Sequence, residues 1–343
     1  MKKAHTLILA GMALSLGSCD QLTLVNLYMA NEFTEAEIEG DLPHTIGYKD
    51  LDGWILLEGR VNNHAPVNFV LDTGASVLAL IDAPNSAHLK LDMRGSRRIG
   101  SADDLAAPVG ATQTGLRIDF GGLVLDDQTA LALPASSLDC TGKGDFTPPF
   151  EGVIGHDLFR RFTVEVNRDN HTVTFHDPET YVYRGSGKVV PAEISGRQPF
   201  VTTKVSFQNG KAVPLRLHVD SGAGIDLSLF PSSSPEIAMP NKGTVKDACF
   251  VGGKAQYRIG QPVELDFGGL KTRSPVDYPL GREVVDSDQN GRIGARFLEQ
   301  FNVVFDYERE RIILEPRNRT SRSANSFIIG AVATNRSKTL NGS

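Results

Sequence analysis

Two short stretches of the chain place an aspartate between an apolar run and a small-residue turn. The first reads DTG and begins at Asp72, and the second reads DSG and begins at Asp220, 148 residues later. Two carboxyl groups that meet cannot both ionise cheaply, so they share a proton and titrate at widely separated apparent pKa values. One can then take a proton from water while the other donates one to a carbonyl oxygen. That chemistry is general acid–base hydrolysis without a covalent intermediate.

The residues that follow each aspartate suit this task. Thr73 and Ser221 carry hydroxyl groups that could bond across an interface and hold two loops rigid. Gly74 and Gly222 permit a tight turn and a close approach of backbone amides to the carboxylates. We therefore predict these four residues as support for a catalytic pair. Asp, Thr, Ser and Gly are also ordinary turn residues. The alternative is therefore that the two stretches are turns without a catalytic role.

Apolar strands are predicted to position both aspartates. The segment 215–219 alternates apolar and polar side chains up to Asp220, which is typical of a half-buried strand. The run FVL, which ends at Leu71, precedes Asp72 in the same way. Each carboxyl group is therefore expected at the end of a strand.

Two further pairs of segments repeat in the same order. The sequence DFGGL occurs at 119–123 and again at 266–270, at an offset of 147. Residues 152–175 align without gaps on residues 291–314, at an offset of 139, and both copies predict a glycine turn, a helix of about two turns and a β-hairpin. Ordered repetition indicates a tandem duplication. Duplicated lobes that pack about a pseudo-twofold axis would bring the two aspartates together.

The stretches LDTGAS (71–76) and VIGHDLF (153–159) resemble the two signatures of the retropepsin-like aspartic proteases, here in a tandem single-chain form. The resemblance covers roughly residues 50–178 and 195–316. It implies an all-β fold of two duplicated β-barrel lobes related by a pseudo-twofold axis, with an active-site cleft between them. It also implies Asp72 and Asp220 as the catalytic dyad of an endopeptidase that acts on polypeptides.

The family covers its cleft with a flexible hairpin, or with two in dimers. The segments between each Asp loop and the following DFGGL strand are the candidates here. Their glycine-containing tips supply four predicted flap residues, namely Gly100, Ser101, Gly252 and Gly253.

Three positions depart from the family pattern. Many members carry an acid that receives the substrate backbone where this chain has Ser76 and Gly224. Arg292 replaces an apolar residue of the second signature, where it either alters the packing under Asp220 or faces solvent. These departures keep an alternative function open, a catalytically silent module that captures peptides or an envelope partner in the cleft.

The first residues are typical of an export signal. Lys2 and Lys3 precede an apolar stretch, 7–16, that is too short to span a bilayer. The stretch ends before Cys19 in a sequence that resembles a bacterial lipobox, which implies cleavage before Cys19 and lipidation of its thiol. Asp20 favours retention at the inner membrane. We therefore expect a lipid-anchored protein of the bacterial envelope that faces the periplasm, with a plain secretory signal as the alternative.

The repeats and the patterns at the two ends divide the chain into segments. Because one chain contains both halves, we expect a monomer with an intramolecular pseudo-dimer rather than a homodimer. The predicted segments are a signal peptide (1–18), a lipid-anchored tether (19–32), a first protease lobe (33–178), an interlobe linker (179–194), a second protease lobe (195–316) and a disordered tail (317–343).

Composition argues against other classes of partner. The formal net charge is −6 and no basic cluster with interleaved aromatics occurs, so we expect no nucleic-acid partner. The histidines lack zinc spacing, and a calcium-like stretch at 286–294 lacks its terminal acid, so we expect no metal and no cofactor. His218 is interpreted as structural or solvent-facing, and His156 as surface-exposed, with packing near the predicted dyad as the alternative. Cys140 and Cys249 could form a disulfide or remain two free thiols.

Overall fold

The regular structure of the chain is almost entirely β-strand, which confirms the predicted all-β fold. The computed structural model describes residues 26–98, 109–139, 146–250, 253–281 and 289–317. Within these residues the strands form two sheets, of nine and fifteen strands.

The strands of the first half alternate with tight turns. In chain order they are β1 (Ala36–Ile38), β2 (His44–Gly47), β3 (Lys49–Leu51), β4 (Trp54–Val61), β5 (Val67–Leu71), β6 (Ala79–Asp82), β7 (Arg97–Arg98), β8 (Val109–Asp119), β9 (Leu123–Pro134), β10 (Gly152–Ile154), β11 (Thr163–Asn167) and β12 (Thr172–His176).

The strands of the second half follow the same plan. They are β13 (Lys188–Ser195), β14 (Gln198–Ser206), β15 (Ala212–Val219), β16 (Leu227–Leu229), β17 (Val245–Phe250), β18 (Gly253–Ile259), β19 (Val263–Asp266), β20 (Lys271–Ser274), β21 (Asp277–Leu280), β22 (Gly291–Ile293), β23 (Phe301–Asp306) and β24 (Arg311–Pro316).

The helices are short. One helical turn covers 26–30, and two α-helices cover His156–Phe159 and Ala295–Leu298. Each of the two α-helices has four residues, about one turn rather than the two that the sequence predicts. The reason is that β11 and β23 begin within four residues of the helix ends. Three 3₁₀-helices complete the inventory of the described residues, at Pro84–Leu89, Ala135–Leu138 and Pro231–Ser233.

Both halves build the same strand arrangement around the Asp loops. In the first half, β10 lies between β5, to which it is parallel, and β6, to which it is antiparallel. In the second half, β22 lies between β15 and β16 with the same two orientations. The loops that leave β5 and β15 therefore start from equivalent places.

A shared sheet joins the halves. Strands β11 and β23 pair antiparallel, with Glu165 opposite Val304 and Val164 opposite Phe305. Glu165 and Val304 are also counterparts at the offset of 139. The ladder is thus centred on two equivalent residues, as a twofold relation between the halves requires.

The fifteen-stranded sheet therefore crosses the boundary between the halves. It contains all of β13 to β24 together with β2, β11 and β12 of the first half. Strand β13 lies largely within the segment 179–194 that was predicted as a linker, and it pairs with both β14 and β24. Its alternation is masked in the sequence by a proline, which leaves the strand signal weak.

The segment before β1 packs on the first half. Residues 26–30 are helical, although they fall in the predicted tether, and Leu27 is buried. Arg160 and Arg161 both donate hydrogen bonds to the carbonyl oxygens of Asn31 and Thr34. The side chain of Asn31 also exchanges two hydrogen bonds with the backbone of Thr129. Contacts with such distant residues leave no periodic signal in the sequence.

Several predictions fall on the ends of the chain. Residues 1–25, with Cys19 and the predicted export signal, and residues 318–343 of the predicted tail lie outside the described residues. Within the described part of the chain, no helix combines the length and the apolar character needed to cross a membrane.

Candidate active site

The two Asp loops are tied to the same neighbouring strand ends. The backbone amide of Asp72 donates to the carbonyl of Ile154, and the amide of Asp220 donates to the carbonyl of Ile293, each at 2.8 Å. Ile154 ends β10 and Ile293 ends β22. The glycine-rich turn of each repeat therefore fixes where its aspartate leaves the sheet.

Thr73 and Ser221 lock the loops to each other. The amide of each residue donates to the hydroxyl oxygen of the other, at 2.9 Å in both directions. The hydroxyl of Thr73 then donates to the carbonyl of Val219 at 2.6 Å, and that of Ser221 to the carbonyl of Leu71 at 2.7 Å. Both residues are buried. The four bonds form a closed, reciprocal set between the halves.

The two aspartates that are 148 residues apart in sequence are neighbours in space. The side chains of Asp72 and Asp220 are hydrogen-bonded to each other. The Gly74 amide donates to Oδ1 of Asp72 at 2.7 Å, and the Gly222 amide donates to Oδ1 of Asp72 at 3.0 Å and of Asp220 at 3.1 Å. The Ala223 amide adds a bond to Asp220 at 3.0 Å. Backbone donors therefore surround a paired carboxyl group.

The glycines of the two loops leave no room for a side chain. A Cβ atom on Gly222 would lie 2.2 Å from Cγ of Asp72. A Cβ atom on Gly74 would lie 2.7 Å from Oδ1 of Asp220. Only glycine allows each loop to approach the carboxyl group of the other half this closely.

The two carboxyl groups have opposite electrostatic environments. Burial, together with the neighbouring Asp220, raises the pKa of Asp72 well above its ordinary value. Burial alone would also raise the pKa of Asp220, but Arg292, His218 and a hydrogen bond from Asp72 outweigh burial and lower that pKa. A group with a raised pKa keeps its proton while its neighbour ionises, so the pair holds one shared proton over a wide pH range.

Among the residues that the structure describes, Arg292 is the cationic side chain that lies nearest to the pair. Its Nε lies 3.2 Å from Oδ2 of Asp220, and its side chain is 39% exposed. Of the two placements that the sequence left open, Arg292 takes the one beside Asp220. His218 is buried, with Nδ1 3.9 Å from the same oxygen, and burial lowers its pKa to about 4. His156 begins its helix and is half-buried, and burial lowers its pKa to about 4 as well.

Sequence reasoning missed two side chains that donate hydrogen bonds to the Asp loop of the opposite half. Nε1 of Trp54, at the start of β4, donates to the carbonyl of Gly222 at 2.9 Å. Nε2 of Gln198, at the start of β14, donates to the carbonyl of Gly74 at 2.5 Å. The strands β4 and β14 occupy matched places in the two halves. An alignment of these strands could have paired Trp54 with Gln198, although their side chains share only an N–H donor.

Two of the three positions that depart from the family pattern contact the opposite half. The hydroxyl of Ser76 donates to the carbonyl of Gly196 at 3.1 Å, across the boundary between the halves. Gly224 lies against the indole of Trp54, since a Cβ atom there would be 3.3 Å from the ring. Neither position presents a carboxylate.

Paired antiparallel strands flank both of the predicted flap tips. Strands β17 and β18 pair as far as Phe250 and Gly253, so Gly253 starts the return strand of the second hairpin. Strands β7 and β8 pair at the base of the first. Gly100, Ser101 and Gly252 lie outside the described residues, as does Cys140. Among the residues that are described, no group of three or more His, Cys, Asp or Glu side chains could hold a metal ion.

Comparison with known proteins gives a family match over part of the chain. Residues 57–158 match the family model described as aspartyl protease. The match begins in β4, includes the Asp72 loop and ends in the helix after β10, whereas Asp220 lies beyond it. No curated protein matches the chain. The match supports an aspartyl protease domain in the first half, in agreement with the resemblance of the signature at 71–76.

Proposed function

We propose that the chain is a single-chain aspartic endopeptidase whose two halves each supply one carboxyl group of the dyad, Asp72 and Asp220. The reciprocal bonding of Thr73 and Ser221 is the observation that carries the proposal, because it holds both carboxyl groups in one rigid unit. The match at residues 57–158 supports the protease family for the first half.

The geometry suits the activation of water. Two hydrogen-bonded carboxyl groups with one shared proton can bind a water molecule between their outer oxygens. The ionised member removes a proton as the water attacks a peptide carbonyl, and the protonated member donates to the carbonyl oxygen. The resulting gem-diol collapses as the leaving nitrogen takes up a proton, and the two carboxyl groups return to their initial state. No covalent enzyme intermediate forms.

The proposed substrate is an extended polypeptide bound between the halves. The β17–β18 hairpin is the better defined candidate for a cover over the bound chain. Ser76 and Gly224 bring no carboxylate to receive substrate amides. Recognition would therefore depend on side-chain contacts with residues that line the dyad, among them Arg292, more than on main-chain bonding.

We further propose that the active unit is a monomer. A covalent link gives each half a high effective concentration for the other, so a complete dyad needs no second chain. Specific activity that stays constant on dilution supports this, and activity that falls with the square of concentration contradicts it.

An envelope location is proposed from the first residues alone. The pattern Lys2, Lys3, an apolar stretch and Cys19 supports export and lipid attachment, with the mature protein facing the periplasm. Expression in bacteria with a radiolabelled fatty acid tests it. The wild type should carry label and sediment with membranes, and Cys19→Ala should lose both. A labelled Cys19→Ala protein would contradict the proposal.

One observation favours a second candidate, a catalytically silent module that binds peptides in the same cleft. Arg292 lies 3.2 Å from Oδ2 of Asp220 and lowers the pKa of that carboxyl group, which makes it a weaker base toward water. Such a module should retain its affinity for a captured peptide in Asp220→Asn and show no turnover in any variant.

The test of the primary proposal exposes a complex peptide mixture to a soluble form that begins at Asp20, from about pH 3 to about pH 7. Mass spectrometry then identifies new termini for the wild type and for Asp72→Asn. Asp82→Asn, at an exposed aspartate that ends β6, is the matched control. Cuts made by the wild type and by Asp82→Asn alone are the expected result. No cuts by a folded wild type, at any pH, would move the assignment to the binding module.

A further inference from the structure

The two halves differ most sharply in one cross-strand pair beside the dyad. In the first half Val70 of β5 lies opposite Val153 of β10. In the second half His218 of β15 lies opposite Arg292 of β22. These positions match under the repeat offsets, since each strand pair leads into its own Asp loop. Two valines beside Asp72 thus correspond to a histidine and an arginine beside Asp220.

Nitrogen atoms of the Arg292 and His218 side chains lie near the same oxygen of Asp220. Arg292 Nε lies 3.2 Å and His218 Nδ1 lies 3.9 Å from Oδ2 of Asp220. That oxygen is distinct from Oδ1, which receives the amides of Gly222 and Ala223. The two oxygens of Asp220 therefore have different partners, which are backbone amides at Oδ1 and the Arg292 and His218 side chains near Oδ2.

The other ionisable groups around the pair do not offset this asymmetry. Tyr307 is buried, and burial followed by the charges of both aspartates raises the pKa of its hydroxyl well above the ordinary value, so it stays neutral. Arg216 lies behind His218, over the ring of Phe200 and paired with Glu193 at 3.0 Å. Asp72 itself is the remaining neighbour, through its hydrogen bond to Asp220.

We propose that Arg292 and His218 are positioning residues that give the dyad a fixed direction, with the charge on Asp220 and the shared proton on Asp72. The assignment rests on the proposed function. Asp220 then takes a proton from the attacking water as the new C–O bond forms, and Asp72 gives its proton to the carbonyl oxygen. On collapse, Asp220 gives its proton to the leaving nitrogen as the C–N bond breaks, and Asp72 takes one from the gem-diol. The pair returns to its starting state.

The two positioning residues act over different pH ranges. Arg292 places its guanidinium Nε 3.2 Å from Oδ2 of Asp220. Burial lowers the pKa of His218 to about 4, so its charge is present only below about pH 4. Together they keep Asp220 ionised in acid, where a carboxyl group in the apolar setting of Asp72 would already be protonated.

The first test measures kcat/KM for one cleaved peptide across pH. Arg292→Val installs the residue of the first half. It should shift the acid limb of the pH profile of kcat/KM to higher pH by about 1–3 pH units, the range expected for loss of an adjacent opposite charge. His218→Val should move it upward by less. Arg292→Lys should keep the limb near its wild-type position, and so should Arg273→Val, which removes the same charge from an exposed position on β20. An acid limb that does not move in Arg292→Val overturns the proposal.

A second measurement does not depend on turnover. Carbon-13 labelling of aspartate carboxyl groups follows ionisation by NMR, with Asp72→Asn and Asp220→Asn to assign the two signals. The Asp220 signal should titrate at a higher pH in Arg292→Val than in the wild type. If the wild type cuts no peptide but this shift occurs, the proposed function fails and the direction of the pair stands. If peptides are cut while neither the limb nor the signal moves, only the direction fails.

Discussion

The amide of Thr73 donates to the hydroxyl of Ser221 while the amide of Ser221 donates to the hydroxyl of Thr73, both at 2.9 Å. Each hydroxyl also donates to a strand carbonyl of the opposite half, those of Val219 and Leu71. Neither Asp loop can therefore satisfy its buried polar groups in this form without the other half. The unit that holds the carboxyl groups is the interface itself.

Ser221→Ala should destabilise the protein and impair the dyad together. The change leaves the Thr73 amide and the Leu71 carbonyl without a partner, which costs about 1–3 kcal/mol for a buried group. Ser228→Ala is the matched control, since Ser228 is also buried and its hydroxyl makes no hydrogen bond within the described residues. Urea unfolding should show a clear loss for Ser221→Ala and a small change for Ser228→Ala. Equal losses would contradict the role of the reciprocal bonds.

Gly222→Ala should reduce turnover more than it reduces stability. The added Cβ atom would lie 2.2 Å from Cγ of Asp72, so the carboxyl group must move. Overpacking of this kind costs about 1–3 kcal/mol, and a displacement near 1 Å can lower kcat about 100-fold. Gly47→Ala is the control, because its nearest atom, the carbonyl oxygen of His171, lies 4.0 Å away. Normal kcat in a folded Gly222→Ala protein would argue against close contact of the loops.

Asp72→Asn should stabilise the fold in neutral solution. The pKa of Asp72 is higher in the folded state than its ordinary value of 3.8, chiefly through burial. Its contribution to stability is therefore complete below about pH 3.8 and is lost as pH rises through the raised pKa. Each pKa unit of difference corresponds to roughly 1.4 kcal/mol, a cost that asparagine does not carry.

Thermal unfolding across pH measures this effect. The melting temperature of Asp72→Asn should exceed that of the wild type near pH 7, and the two should converge toward pH 4. Asp220→Asn should show no comparable gain near pH 7, because Arg292 stabilises the ionised form of that carboxyl group. A constant difference between Asp72→Asn and wild type at all pH values would contradict the assignment of the proton.

Repetition made the all-β fold and the pairing of Asp72 with Asp220 accessible from sequence. The offset alignment identified two equivalent strand ends, and steric limits at glycine indicated close loops. The placement of Thr73 and Ser221 followed from their hydroxyl groups at matched positions. These inferences needed only residue type and register, which a sequence displays directly.

What the sequence left open depended on where side chains point. The duplication shows that Arg292 replaces Val153, but not that the guanidinium turns toward Asp220 rather than solvent. Trp54 and Gln198 differ in shape, so their shared role as donors to opposite loops is invisible until the halves are packed. The segment around Leu27 is held by an apolar cluster with Ile81 and Leu131 and by distant hydrogen bonds to Asn31, and no local periodicity indicates these contacts.

The central claim is that one chain supplies both members of a working dyad. Its most direct test is turnover of a single cleaved peptide by the wild type, by Asp72→Asn, by Asp220→Asn and by an equimolar mixture of the two variants. The account predicts hydrolysis by the wild type alone, since neither variant nor their mixture contains an intact intramolecular pair. Turnover by either single variant would contradict the dyad. Turnover restored only in the mixture would show that the active site forms between chains.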